Sequence, residues 1–245
     1  MLAAAASGRG QHVRLELNIP AFEVQVVRSD TVVRRFPVAV GMASDPTPVG
    51  EFAITEVTWH PWWHPPQRPW AEKDTVLPPG PDNPMGVVKL LIGGLYFLHG
   101  TPFETTVGHA ASHGCIRMRQ TDAVELARLV LRLQPPGATP DADLVEVPAG
   151  TVVRPLSEPV PMSVIYATIT VAGDSLHLYP DIYGRRGGSA LSEALAVLSA
   201  SGVDTLAVNR TLLSDALRRS ARRQVAIPLA ALSAYERKSR DGRRD

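Results

Sequence analysis

The chain has 245 residues, 44% of them hydrophobic, and a formal net charge of +1. That length can bury a core without disulfides or structural metals, and the near-zero charge leaves no electrostatic footprint for a general nucleic-acid binder. The single cysteine excludes an internal disulfide and the CxxC zinc and redox patterns, and no apolar run reaches the ~18 residues of a membrane-spanning helix.

In chain order, "MLAAAASGRG" and the residue after it (1–11) read as a disordered end or the remnant of a signal sequence. "VRLELNI" alternates and predicts a strand with Val13, Leu15, Leu17 and Ile19 on one face. "FEVQVV" and "TVVRRFPVAV" flank the turn-like Arg28-Ser29-Asp30 and predict a hairpin. "GMASDPTPVG" is a loop rich in breakers, and "EFAITEV" is a further strand. The next stretch, "TWHPWWHPPQRPWAEKDTVLPPGPDNPMG", holds all four tryptophans at a proline density that forbids helix interiors and central strands. A loop of this length is either a lid over a site or a rigid surface excursion whose tryptophans pack onto the sheet. A third reading is metal ligation by His60 and His64. Their i, i+4 spacing suits a helix, which Pro61, Pro65 and Pro66 oppose.

"VVKLLIGGLYFLHG" predicts two buried strands broken at Gly93-Gly94. A helix follows the cysteine. Asp122 and Glu125 form a D-x-x-E start signal, and Ala123, Leu126, Ala127, Val130 and Leu133 form its buried stripe. "QPPG" ends it, and "DLVEVPAGTVVRPL" predicts a last strand pair. From about Pro159 the pattern changes. A hairpin around Gly173-Asp174, a helix over "SALSEALAVLSASG", a strand "VDTLAV", a helix "TLLSDALRRSARR" and a strand "QVAIPL" predict a small α/β unit over 159–235 with βαβαβ-like order. Residues 236–245 read as a charged, frayed tail.

The lone cysteine sits in "ASHGCIRMR". A free thiol has a pKa near 8.5, so a nucleophilic cysteine needs an imidazole or cation beside it. If "SHGCIR" is extended, His113, Cys115 and Arg117 share a face, with His113 about 7 Å from the cysteine at Cα level. Gly114 leaves room for a carbonyl to approach the backbone N–H groups of Gly114 and Cys115 as an oxyanion hole. His99 closes the preceding strand and can reach the sulfur from there. The bland alternatives are a buried small hydrophobe with a packing histidine and solvated arginines, or a zinc site of His99, His113 and Cys115 with water as fourth ligand.

These residues resemble a known family. His99-Gly100-Thr101, a short glycine-containing spacer, and Ser112-His113-Gly114-Cys115-Ile116-Arg117-Met118 look like the YkuD-type L,D-transpeptidase domain. "FPVAVGMASDPTPVGEFAI" and "PGPDNPMG" resemble that family's strand-loop-strand at the cleft and the segment leading to its histidine strand. The resemblance covers roughly residues 12–154. It implies a mainly β catalytic domain over 12–155, a YkuD-like β-sandwich with a packed helix, followed here by the small α/β C-terminal domain. It further implies Cys115 as nucleophile and His99 as general base, with the other ring nitrogen of His99 held by a backbone carbonyl near Gly100. His113 and Gly114 frame the oxyanion site with Cys115, Ser112 supports their geometry, and Arg117, Thr101, Trp62 and Trp63 are the substrate-binding candidates. The implied reaction is 3→3 crosslinking of peptidoglycan stem peptides through a thioester, with release of D-Ala, in the periplasm or extracytoplasmic wall. The alternatives are an L,D-carboxypeptidase or wall-protein amidase using the same thiol, and a non-catalytic peptidoglycan-binding module. No metal or organic cofactor, no nucleic acid and no membrane span is expected. Oligomeric state and any partner of residues 159–245 are not legible in the sequence.

Overall fold

The structure is a computed structural model and describes residues 13–233; the expectations for residues 1–11 and for the charged tail lie outside the described residues. The chain divides into two units, Met1–Ile165 and Tyr166–Asp245. The first unit holds β1 (Val13–Asn18), β2 (Glu23–Arg28), β3 (Thr31–Gly41), β4 (Gly50–Trp59), β5 (Val88–Gly93), β6 (Tyr96–Gly100), β7 (Ala110–Ser112), β8 (Ile116–Met118) and β9 (Val152–Ile165). These strands run β2-β1-β9-β4-β5-β6-β8-β3-β7, and a further β2–β3 pairing closes the sheet on itself. The result is barrel-like, not the expected sandwich. The cause is β3, eleven residues long, which pairs with β2 over Thr31–Pro37 and with β8 at Val38 and Ala39. One strand thereby joins both ends of the sheet.

The β2–β3 hairpin forms as expected, with Ser29 and Asp30 at φ of 46° and 64°, the left-handed pair that a type I′ turn requires. Alternation delivers Leu15, Leu17, Phe36, Ile54, Leu90 and Leu98 to the interior, where each is fully buried. Complete burial of such a side chain contributes about 1.5–3 kcal/mol.

Helix α1 (Gln120–Arg132) packs against β5 and β6. It begins before the D-x-x-E signal, because the Gln120 N–H donates to Glu104 Oε1 at 2.9 Å. A carboxylate distant in sequence thus does the capping. Asp122 and Glu125 are left to pair with Arg119 and Arg34, at 3.8 and 2.6 Å. The buried stripe is Ala123, Leu126, Ala127 and Val130 with Leu131. Leu133 is the C-cap and only partly buried.

The expected strand pair after α1 is not formed. Asp141–Val145 is a short helix, α2, entered through Pro140, whose buried Asp143 carboxylate accepts from Arg154 Nε at 2.5 Å. Val152–Ile165 is one long strand, β9, antiparallel to β4 and parallel to β1. A boundary between 155 and 159 would cut this strand. Its prolines 155 and 161 sit opposite Glu56 and Ala53 of β4, and the register shifts between Ile54 and Glu56, a bulge of the kind that tolerates missing N–H donors.

The second unit contains β10 (Ile169–Ala172), β11 (Ser175–Leu178), α3 (Ala190–Ala200), α4 (Arg210–Ser220), β12 (Val225–Pro228) and α5 (Leu229–Ser233). Its sheet is antiparallel in the order β10-β11-β12, so the expected βαβαβ order is not realised. "VDTLAV" is a turn: Asp204 Oδ1 takes the Leu206 N–H at 3.0 Å and the Asp204 carbonyl takes Ala207 N–H at 3.2 Å, a local bonding that competes with an extended chain. Ile169, Leu176, Leu178, Ala194, Leu198 and Leu213 lie in its core. Among the described residues no helix is long and apolar enough to cross a membrane.

Candidate active site

The segment from Ser112 to Met118 alternates in burial. Ser112, Gly114, Ile116 and Met118 are buried, while His113, Cys115 and Arg117 are partly exposed. The shared face expected from a two-residue period is therefore present. Strand β6 lies parallel to β8 and places His99 opposite Arg117. Strand β5 lies antiparallel to β6 and places Lys89 opposite His99. Lys89, His99 and Arg117 thus form a row across three strands, with Cys115 two residues before the arginine.

Cys115 is a free, partly exposed thiol. Its Sγ lies 3.8 Å from the Leu95 carbonyl oxygen in the β5–β6 turn. Burial pushes the thiol pKa up; the Phe97 backbone N–H, then Arg117 and Lys89, pull it down. His99 is 3% exposed. Burial lowers its pKa to about 4 against the opposing pull of the Gly100 carbonyl, and Arg117 and Lys89 lower it further. Its Nδ1 is 2.7 Å from the Gly100 carbonyl oxygen. A carbonyl only accepts, so Nδ1 carries the proton and Nε2 is left as the basic atom of a neutral ring.

The backbone around the thiol is pinned from several sides. Ser112 Oγ accepts the Gly114 N–H at 3.1 Å and donates to the Cys115 carbonyl. Of the two N–H groups expected to form an oxyanion hole, that of Gly114 is bonded to Ser112 Oγ in this structure. Thr47 Oγ1 donates to the Gly114 carbonyl at 3.0 Å and accepts from Gly41 N–H at 2.8 Å. Met42 N–H donates to the Ser112 carbonyl at 2.8 Å. The breaker-rich loop between β3 and β4 is therefore a support of the thiol loop. Arg117 Nη1 donates to the Ala111 carbonyl at 3.2 Å, which fixes the guanidinium beside the site.

Two of the substrate-binding candidates have other work. Thr101 is fully buried, and its hydroxyl accepts the Phe103 N–H at 3.2 Å, so it shapes the turn after β6 and presents nothing to a ligand. Trp63 exchanges backbone hydrogen bonds with Leu77 at 2.9 and 3.0 Å, and Trp62 is largely exposed. The tryptophan that meets the site is Trp70, whose ring stacks on His113 at 3.9 Å between centroids and 10° between planes. The long loop that carries it is tied down by side-chain hydrogen bonds and reaches His113 of the motif. Buried Asn83 donates to the Pro61 and Pro78 carbonyls at 2.9 and 3.1 Å and accepts the Met85 N–H at 2.9 Å. Lys89, Thr47 and Trp70 were not found by sequence reasoning; for Lys89 the available signal was a charge in an apolar run two strands from the cysteine. Among the described residues no three His, Cys, Asp or Glu side chains gather as a metal-ligand set.

Residues 12–154 match the family model of the YkuD domain, described as the L,D-transpeptidase catalytic domain. "Probable L,D-transpeptidase YbiS" of Escherichia coli K12 is 33% identical over 132 residues, 51% of this chain and 38% of that protein. "Probable L,D-transpeptidase ErfK/SrfK" of Salmonella typhimurium is 33% identical over 140 residues, 54% of this chain and 40% of that protein. The chain thus spans about two fifths of the length of these relatives. A crystal structure of L,D-transpeptidase 3 from Mycobacterium tuberculosis aligns with a TM-score of 0.44 at 16% identity, covering 64% of this chain and 62% of that one.

Proposed function

The chain belongs to the YkuD family of L,D-transpeptidase catalytic domains, and from that premise we propose that it is a cysteine-dependent acyltransferase acting on peptidoglycan stem peptides outside the cytoplasm. The observation that carries this reading is the partly exposed Cys115 thiol two residues before Arg117, which stands opposite the buried, neutral His99 on the neighbouring strand, with His99 Nδ1 tied to Gly100. That pair is the arrangement a general-base-activated nucleophile needs.

In the proposed cycle, His99 Nε2 takes the Cys115 proton as sulfur attacks the carbonyl of the third stem residue. The Cys115 N–H faces the oxyanion, and Ser112 holds the turn that aims it. The tetrahedral adduct collapses to a thioester when His99 returns the proton to the departing D-Ala amine. A side-chain amine of a second stem then attacks the thioester, loses its proton to His99, and restores the thiol, leaving a 3→3 crosslink. Arg117 orients a peptide carboxylate. Water in place of the amine gives L,D-carboxypeptidase activity. These steps use the Cys115 and His99 side chains and the Cys115 backbone N–H.

The test is the product mixture from a disaccharide tetrapeptide, read by mass. Loss of D-Ala with a crosslinked dimer supports transfer, and loss without dimer supports hydrolysis. No loss of D-Ala from the wild-type chain, or equal loss from Cys115→Ala, ends the proposal.

The Trp70–His113 stack favours the loop as a cover that limits water at the thioester. Trp70→Ala is expected to raise hydrolysis relative to crosslinking about two- to tenfold, since the lost aromatic pair is worth roughly 0.5–1.5 kcal/mol. An unchanged ratio of dimer to free tripeptide removes the cover from the mechanism.

A further inference from the structure

In the resting enzyme, before His99 accepts a proton, its neutral, buried ring supplies no positive charge to the Cys115 sulfur. Two cations, Arg117 and Lys89, favour the ionised sulfur. Arg117 follows Cys115 on its own strand face. Lys89 enters from β5, in register with His99, which is in register with Arg117. Adjacent strands are about 4.8 Å apart, so the row spans about 10 Å between its outer Cα atoms, a gap that the long Lys89 and Arg117 side chains narrow from both sides.

The position of the ammonium is constrained. Lys89 Nζ lies 4.6 Å from the centroid of the Phe97 ring, on β6, the strand between those of Lys89 and Arg117. Phe97 therefore holds the ammonium over the strand that separates Lys89 from the thiol's side of the sheet. Lys89 is only partly exposed, which weakens solvent screening of its charge. Burial lowers the Lys89 pKa, and Glu56 and Cys115 oppose that by favouring its charged form; on β4, Thr58 stands opposite Lys89 and Glu56 opposite Leu91. Glu56 is itself engaged by Thr58 Oγ1 at 2.7 Å, so it does not remove the lysine from the row.

We propose that Lys89 is a positioning residue of the thiol site: its ammonium, held on Phe97, shares with Arg117 the stabilisation of the Cys115 thiolate that an imidazolium would otherwise provide. The inference deepens the reading of Cys115 as nucleophile and rests on it for its role in catalysis, but the charge effect is measurable without any peptide substrate. Removing Lys89 deletes a cation that favours the ionised sulfur, so the thiol midpoint rises and less thiolate is present at neutral pH.

The experiment is iodoacetamide alkylation of Cys115 in the full chain, followed from about pH 6 to 11.5, because burial raises the thiol above its ordinary value. In Lys89→Met the midpoint is expected to rise about 0.5–1 unit, slowing alkylation at pH 7 about three- to tenfold while the alkaline plateau is unchanged. Lys89→Arg is expected to keep the wild-type midpoint. Lys89→Gln is run beside Lys89→Met, with thermal melts on all variants, so that a folding loss in one neutral variant leaves the other. A wild-type midpoint in a folded neutral variant overturns the inference, and so does an equal shift in Lys89→Arg. If alkylation responds as expected but the wild-type chain releases no D-Ala, the functional reading fails and the Lys89 inference stands. Turnover with an unmoved midpoint is the reverse result.

Discussion

His99→Ala is expected to lower thioester formation from a stem tetrapeptide by about 10²–10⁴-fold, the range that a positioned general base contributes, while His113→Ala lowers it far less. The two histidines sit in different environments. His99 is 3% exposed and its Nδ1 is fixed on the Gly100 carbonyl at 2.7 Å, so one ring nitrogen is held as donor and the other as base. His113 is partly exposed and its ring is engaged by Trp70. The pH profile carries the sharper test. The base must be neutral, and burial lowers His99 to about 4, so the acid limb of kcat/KM is expected near pH 4. An acid limb near 6.5, the unperturbed imidazole value, would instead indicate a solvated ring and sink the assignment. Stability follows the same shift. The folded pKa lies below the unfolded one, so the unfolded chain binds the proton first as pH falls. The contribution is complete above about pH 6.5 and is lost between there and about 4, on the order of 3 kcal/mol in all. His99→Gln should flatten this segment of the melting curve against pH.

Gly114→Ala is the second large effect, expected to reduce acylation about 100-fold or more while the chain remains folded. Gly114 has φ +105°, and a Cβ there would stand 2.9 Å from Tyr96 Cε1. A left-handed backbone alone costs an L residue about 1–2 kcal/mol. The neighbouring hydrogen bonds direct the relaxation toward the thiol, because Ser112 holds the Gly114 N–H and Thr47 holds its carbonyl. Movement therefore passes to Cys115, where a misplacement of about 1 Å is worth about 10²-fold in rate. The measurement is single-turnover acylation of Gly114→Ala and of Gly114→Ala/Tyr96→Ala, with melting temperatures. The double variant removes the side-chain clash and keeps the backbone strain, so partial recovery is expected. Wild-type acylation in Gly114→Ala would show that this conformation is not required.

Much of the first unit was legible because its signals are local. Alternation in Val13–Asn18, the Ser29-Asp30 turn and the paired glycines 93 and 94 all correspond to observed strands and turns. The misreadings have tertiary causes. The start of α1 moved because Glu104 caps it from elsewhere in the chain. The ends of the sheet met because β3 is long enough to serve both. "VDTLAV" became a turn because the Asp204 carboxylate captured a nearby N–H, an outcome that an apolar pattern does not encode.

The sequence by itself determined the thiol, the face that Cys115 shares with His113 and Arg117, the strand that carries His99, and the family. Each of these depends on covalent neighbours or on the two-residue period of an extended chain. Only the tertiary structure decided that His99 is neutral, that the Gly114 N–H is already taken by Ser112, and that Lys89, Thr47, Tyr96 and Trp70 surround the motif. The physical reason is that strand register and burial are properties of the assembled sheet. They bring together groups far apart along the chain, and a charge's solvation depends on that assembly, not on its neighbours in sequence.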